Sequence, residues 1–152
     1  MSSPNAGPND APSNGQPNDA RPNDVRPNDV RPWPTEIRLS KDGRTLTVAF
    51  DDGERYALAA EYLRVKSPSA EVQGHSPDER KTVPGKRDVM IIEIKPIGNY
   101  AVRLTFDDLH STGIYSWDYF AELGRKHTQY WQDYLDELAA KGLSRDPTLR
   151  PR

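Results

Sequence analysis

"TLTVAFDDGERYAL", residues 45–58, decides how this chain folds. Leu46, Val48 and Phe50 alternate with small or polar neighbours, the period-two pattern of a half-buried strand. Asp52-Gly53 then reverses the chain, and Tyr56 and Leu58 resume the alternation on the return. Immediately upstream, "TEIRLS" puts Ile37 and Leu39 on one side and "SKDGRT" supplies another Asp-Gly turn. Two successive hairpins predict an antiparallel meander, entered at Trp33.

The pattern recurs further on. "VMIIEIKP" is expected to turn Met90, Ile92 and Ile94 inward. "PIGN" is a turn, and "YAVRLTF" is expected to face Tyr100, Val102, Leu104 and Phe106 to the core. "DDLH" turns the chain again before a short last strand, "STGIY". Between the two sheet segments, "AAEYLR" predicts a short helical turn. Residues 65–88 predict a long irregular loop holding Pro68, Pro77, Pro84, Gly74 and Gly85. Ser116 is a good N-cap for a final helical stretch, where Trp117, Phe120, Leu123, His127, Trp131, Tyr134, Leu135 and Leu138 keep helical spacing. Gly124 is expected to kink or split that helix, and Gly142 to cap it with Leu143 folding back. Runs of strands followed by helix give an α+β domain: an antiparallel sheet of about six strands built from hairpins, with a C-terminal helical segment.

The rest of the 152 residues divides accordingly. Residues 1–32 repeat Pro-Asn-Asp, with a five-residue period in the last copies, and lack the large apolar side chains a core requires; they are expected to be a disordered tail. Residues 33–143 form the folded domain, and 144–152 are expected to be a flexible basic tail. Net charge is -2 and mean hydropathy -0.88, so no global attraction to nucleic acid or anionic membrane is expected. The absence of cysteine excludes disulfides, thiolate metal sites and cysteine nucleophiles. With no signal-peptide core and no membrane-length apolar run, the expectation is a cytoplasmic protein.

Catalytic motifs are absent: there is no P-loop, no GxGxxG at a strand–helix turn and no GxSxG. The residues two beyond His75, His110 and His127 are Pro77, Thr112 and Gln129, so the His-x-carboxylate of an oxygenase facial triad does not occur. Asp51-Asp52 and Asp107-Asp108 flank turns and read as turn residues. "PGKRD" (84–88) lacks the helix a phosphate site needs. His127 reads as a structural histidine in the apolar stripe. The aromatics of the last helix read mainly as core, with Trp117 a candidate for partner contact.

"LRVKSPSAEVQGH" (63–75) followed by "NYAVRLTFDDLHSTGIYSW" (99–117), with the opening meander, resembles the gamma-butyrobetaine hydroxylase-like N-terminal domain family over roughly residues 33–122. In the carnitine-pathway hydroxylases this domain precedes a catalytic jelly roll and holds a structural zinc. By position, that resemblance implies ligands at Ser67, Ser69, Val72 and His110. Only His110 keeps a ligand side chain; hydroxyls are poor zinc ligands and valine is none. The form resembles that of stand-alone bacterial members, and the expectation is therefore a protein without cofactor or metal. The loop would be held by hydrogen bonds from Ser67 and Ser69 toward His110. A second reading keeps open a metal or small-ligand site of His75, His110 and Glu71. The resemblance implies a non-catalytic accessory protein that binds a protein partner in iron–sulfur, oxygenase or quinone-related metabolism, and a monomer is expected. Related domains accompany oxygenases and ATPases of the Mrp type. Ser67, Ser69, His75, His110 and Trp117 are the candidate interaction residues.

Overall fold

A computed structural model describes residues 32–74 and 79–147; the Pro-Asn-Asp repeats, His75 and the last five residues lie outside the described residues. The opening meander forms as β1 (Pro34–Leu39), β2 (Thr45–Phe50) and β3 (Arg55–Ala59), in that order in an antiparallel sheet. Leu46 pairs with Leu58 and Val48 with Tyr56 across β2 and β3, so the alternation read from the sequence sets the register. β3 runs directly into α1 (Ala60–Val65), and a short turn of helix, α2 (Ala70–Gln73), follows with Ser69 as its cap. A second antiparallel sheet has the order β4 (Ile91–Ile97), β5 (Ala101–Phe106), β6 (Gly113–Ser116). Two helices complete the α+β domain, α3 (Trp117–Arg125) and α4 (His127–Ala140).

One apolar cluster joins these elements. Leu46, Val48, Phe50 and Leu58 of the first sheet pack with Ile91, Val102, Leu104, Phe106 and Tyr115 of the second, and with Tyr62, Leu63, Phe120 and Leu123 from the helices. At about 25 cal/mol per Å² of apolar surface removed from water, this burial is the main stabilising contribution. A smaller cluster of Val65, Tyr134 and Leu138 seats α4. Ser116 caps α3 by accepting from the Tyr119 N–H at 3.1 Å.

Three local expectations need correction. Ile92 points outward and Ile91 inward, because a register shift between Ile91 and Glu93 reverses the alternation at the start of β4. Tyr100 belongs to the turn before β5 and is exposed, while Ala101 and Val102 are both buried. The helix breaks at Lys126, two residues beyond Gly124; at Gly124 itself a Cβ would lie 2.3 Å from the Tyr56 ring. That glycine lets α3 press against β3. Near the other end of the domain, Arg145 donates to both carboxylate oxygens of buried Glu61, at 2.8 and 2.7 Å, and the Gly85 and Arg87 N–H groups donate to Ser144 and Arg145 carbonyls. These bonds fasten residues 144–146, which the sequence reading assigned to the start of the tail.

Candidate functional site

The polar cluster at the end of α1 is built from two chain segments 43 residues apart. After α1, Ser67 and Pro68 carry the chain into α2, and Ser69 caps α2 by accepting from the Glu71 N–H at 3.1 Å. Opposite lies the β5–β6 turn. There Asp108 accepts from the His110 N–H at 3.0 Å, and Leu109 adopts φ +75°, a left-handed conformation unusual for a leucine.

Ser67 and His110 meet in the interior. Ser67 Oγ lies 2.9 Å from His110 Nε2, and His110 Nδ1 lies 3.1 Å from Glu71 Oε1. A carboxylate only accepts, so Nδ1–H donates to Glu71 and Nε2 accepts the Ser67 hydroxyl proton. The Ser67 oxygen in turn accepts from the Ser69 N–H at 3.2 Å. A second strap joins the segments where Ser69 Oγ and Thr112 Oγ1 approach to 2.6 Å, and Gln73 Nε2 donates to the Ser67 carbonyl at 2.8 Å. Leu63, fully buried, anchors the loop's start, and its carbonyl accepts from the Tyr115 hydroxyl.

Electrostatics reinforce this arrangement. Burial, together with the Arg64 charge, holds the His110 ring below its ordinary pKa of 6.5, against the opposing pull of Glu71 and Asp108. The neutral ring fits the hydrogen-bond polarity just derived. Burial alone would raise Asp108, but hydrogen bonds from Lys86, the His110 N–H and Arg64 bring its carboxyl down to about 2. Arg64 Nε and Lys86 Nζ reach the same Asp108 oxygen at 2.8 and 2.6 Å. Arg80 is bound to Glu137 and Arg87 to Asp146, so four of the six cations between Arg64 and Asp88 are ion-paired within the domain.

Ser67, His110 and Glu71 share the connectivity of a hydrolase triad. The surroundings differ. Ser67 is 0% exposed, and a Cβ on Gly113 would lie 2.5 Å from its Oγ, so chain packs against the face a substrate carbonyl would have to approach. The zinc implied by the resemblance does not fit either. Ser67 and Ser69 present neutral hydroxyls, Val72 a buried hydrocarbon, and both His110 nitrogens already have partners. Among the described residues no group of three or more His, Cys, Asp or Glu side chains has metal-holding geometry. Glu71 and His110 do come together, whereas His75 lies outside the described residues. Trp117 is elsewhere: half-buried, its ring edge-on to Trp33 at 6.5 Å and its indole N–H on the Asn99 carbonyl at 3.0 Å. His127 stacks edge-on against Tyr62 at 4.5 Å, a packing role. Among the described residues no helix is long and apolar enough to cross a membrane.

Sequence reasoning missed Glu71 and Thr112 as parts of the strap; their only local signal is that each stands two residues beyond a tethered side chain, Ser69 and His110.

Comparison with known proteins places this geometry. No curated protein matches the chain. Two NMR solution structures are similar: one is 45% identical over 80% of this chain and 95% of its own, with a TM-score of 0.68; the other is 41% identical over 84% and 96%, with a TM-score of 0.67. A crystal structure of a protein of unknown function in the DUF971 family, from Acidithiobacillus ferrooxidans, is 38% identical over 60% of this chain and 92% of its own, at a TM-score of 0.50. The family model for gamma-butyrobetaine hydroxylase-like, N-terminal domains matches residues 37–121, which include the whole Ser67–His110 cluster, and the chain belongs to that family.

Proposed function

We propose that this chain is a non-catalytic accessory protein that engages a protein partner through its second sheet. One observation carries the reading. Of the six large apolar side chains exposed among the described residues, four belong to that sheet or its turns: Ile92 (55%), Tyr100 (57%), Leu109 (80%) and Ile114 (45%). Exposed apolar side chains borne by one sheet and its turns are the kind of surface partners use. Leu109 is notable because its left-handed backbone costs about 1–2 kcal/mol relative to glycine there. The reading is supported further by the enclosed Ser67, which offers no open nucleophile. On this reading the partner works in oxygenase, iron–sulfur or quinone-related metabolism in the cytoplasm; family resemblance supports the choice of metabolism.

The test is capture from native cytoplasm by immobilised full-length chain, comparing wild type with Ile114→Glu and Leu109→Gly. A protein retained in stoichiometric amount by wild type, and at least tenfold less by Ile114→Glu at an unchanged melting temperature, is the expected result. Retention indifferent to both substitutions would remove the second sheet as the contact surface.

A further inference from the structure

Lys66, one residue before the buried cluster, faces a separate cleft of about 310 Å³ between the loop and the last two helices. Charged groups around it are already engaged. Arg80 Nη1 and Nη2 bind Glu137 at 3.3 and 2.5 Å, and Glu137 also accepts from Thr82 Oγ1 at 3.1 Å. Asp133 accepts from Gln129 Nε2 at 2.9 Å, and Glu122 accepts the Tyr130 hydroxyl proton. The Lys66 amine is the exception. Among the described residues it has no carboxylate partner, only the Tyr130 ring, whose centroid is 5.3 Å away.

We propose that Lys66 is a nucleophilic amine that takes small, neutral aldehydes into this cleft as imines. Three features support the assignment. Among the described residues the amine has no ion-pair partner to hold its proton, and burial with the nearby Arg80 charge lowers its pKa against the opposing Glu137 and Asp133. The cleft has the volume of a small-molecule site, and the Tyr119 and Tyr130 rings line it. Glu122, Asp133 and Glu137 set three carboxylates against Lys66 and Arg80, which disfavours an anionic aldehyde.

In the step itself the amine lone pair attacks the aldehyde carbon and a C–N bond forms. The carbonyl π pair becomes an oxygen that takes up a proton, giving a carbinolamine. The nitrogen gives up one proton as the carbinolamine forms. Its lone pair then expels the hydroxyl as water with a proton from solvent, and the resulting iminium releases its remaining N–H proton to leave the imine. No oxidant or reductant takes part. This assignment stands apart from the partner surface on the second sheet, and either can fail without the other.

The experiment incubates the full chain with benzaldehyde or, in parallel, anionic glyoxylate, from pH 6 to pH 10. Cyanoborohydride traps imines, and peptide mass spectrometry reads each lysine. At pH 7 Lys66 is expected to be trapped by benzaldehyde faster than exposed Lys41, Lys95 and Lys141, in the direction its lowered pKa gives. Its pH midpoint should lie below theirs, and glyoxylate should show no such preference. Arg80→Gln, which removes a cation and frees Glu137, should move the Lys66 midpoint upward. Trapping of Lys66 no faster than the exposed lysines, or with their pH midpoint, would overturn the proposal.

Discussion

Two polar regions meet at the end of α1, the enclosed cluster around Ser67 and the open cleft around Lys66, and they are built on different terms. In the cluster, the Ser69 N–H donates to Ser67, Ser67 to His110 and His110 to Glu71, while the Ser69 hydroxyl is bonded to Thr112. In the cleft, neighbours of Lys66 pair with one another and leave its amine without an acceptor among the described residues. Satisfied buried polar groups hold structure, whereas a charged group lacking a partner is available for chemistry. The contrast places the tether and the reactive group on adjacent residues.

The largest effect is expected from Gly113→Ala. Its Cβ would sit 2.5 Å from Ser67 Oγ and 3.1 Å from the Tyr115 ring, inside the enclosed cluster. Overpacking of this kind costs about 1–3 kcal/mol, and chemical denaturation should show a loss near the upper end. A neutral result would mean the cluster is looser than its geometry. His110→Ala comes next, with a loss of roughly 1–2 kcal/mol as Ser67 and Glu71 forfeit their shared partner, and Lys66 trapping unchanged. A loss above about 4 kcal/mol would point instead to a removed metal ligand.

Leu109→Gly is expected to act in the opposite direction, stabilising by about 1 kcal/mol through relief of the left-handed backbone. Destabilisation would show that the Leu109 side chain contributes packing its exposure does not reveal.

Acidification separates two groups of the cluster. The folded His110 binds its proton at lower pH than the unfolded chain does. Its contribution is therefore complete above about pH 6.5 and is lost as pH falls through the depressed folded value. Asp108, held at about 2 against an ordinary 3.8, keeps its contribution above pH 3.8 and loses it between there and about pH 2. Melting temperatures followed from pH 8 to pH 5 should fall for wild type and fall less for His110→Ala. Chelation is the smallest expected effect: excess EDTA should leave the melting temperature of untagged protein unchanged. A drop would show a bound metal contributing to the fold.

The sheets were legible because Leu46, Val48 and Phe50, and later Val102, Leu104 and Phe106, alternate cleanly, and all six are buried. Ile92 and Tyr100 were misread for one reason: period two holds only inside a regular ladder, and a bulge and a turn interrupt it there. Ser67 and His110 were linked through resemblance alone, since no local pattern joins residues so far apart in the chain. Glu71 had appeared only as a metal candidate, and its place on the His110 ring follows from the short α2 turn that Ser69 caps. The Lys66 cleft had no signal at all. Its walls come from Lys66 just beyond α1, α2, the loop, α3 and α4, and only packing brings them together.

A double-mutant cycle between Ser67 and His110 tests the central claim most directly. Unfolding free energies of Ser67→Ala, His110→Ala and the double variant isolate the coupling across the 2.9 Å contact. The account predicts a coupling of about 1 kcal/mol, the net worth of a buried hydrogen bond, in chelator-treated protein. Coupling indistinguishable from zero, within about 0.3 kcal/mol, would contradict a tether made of hydrogen bonds.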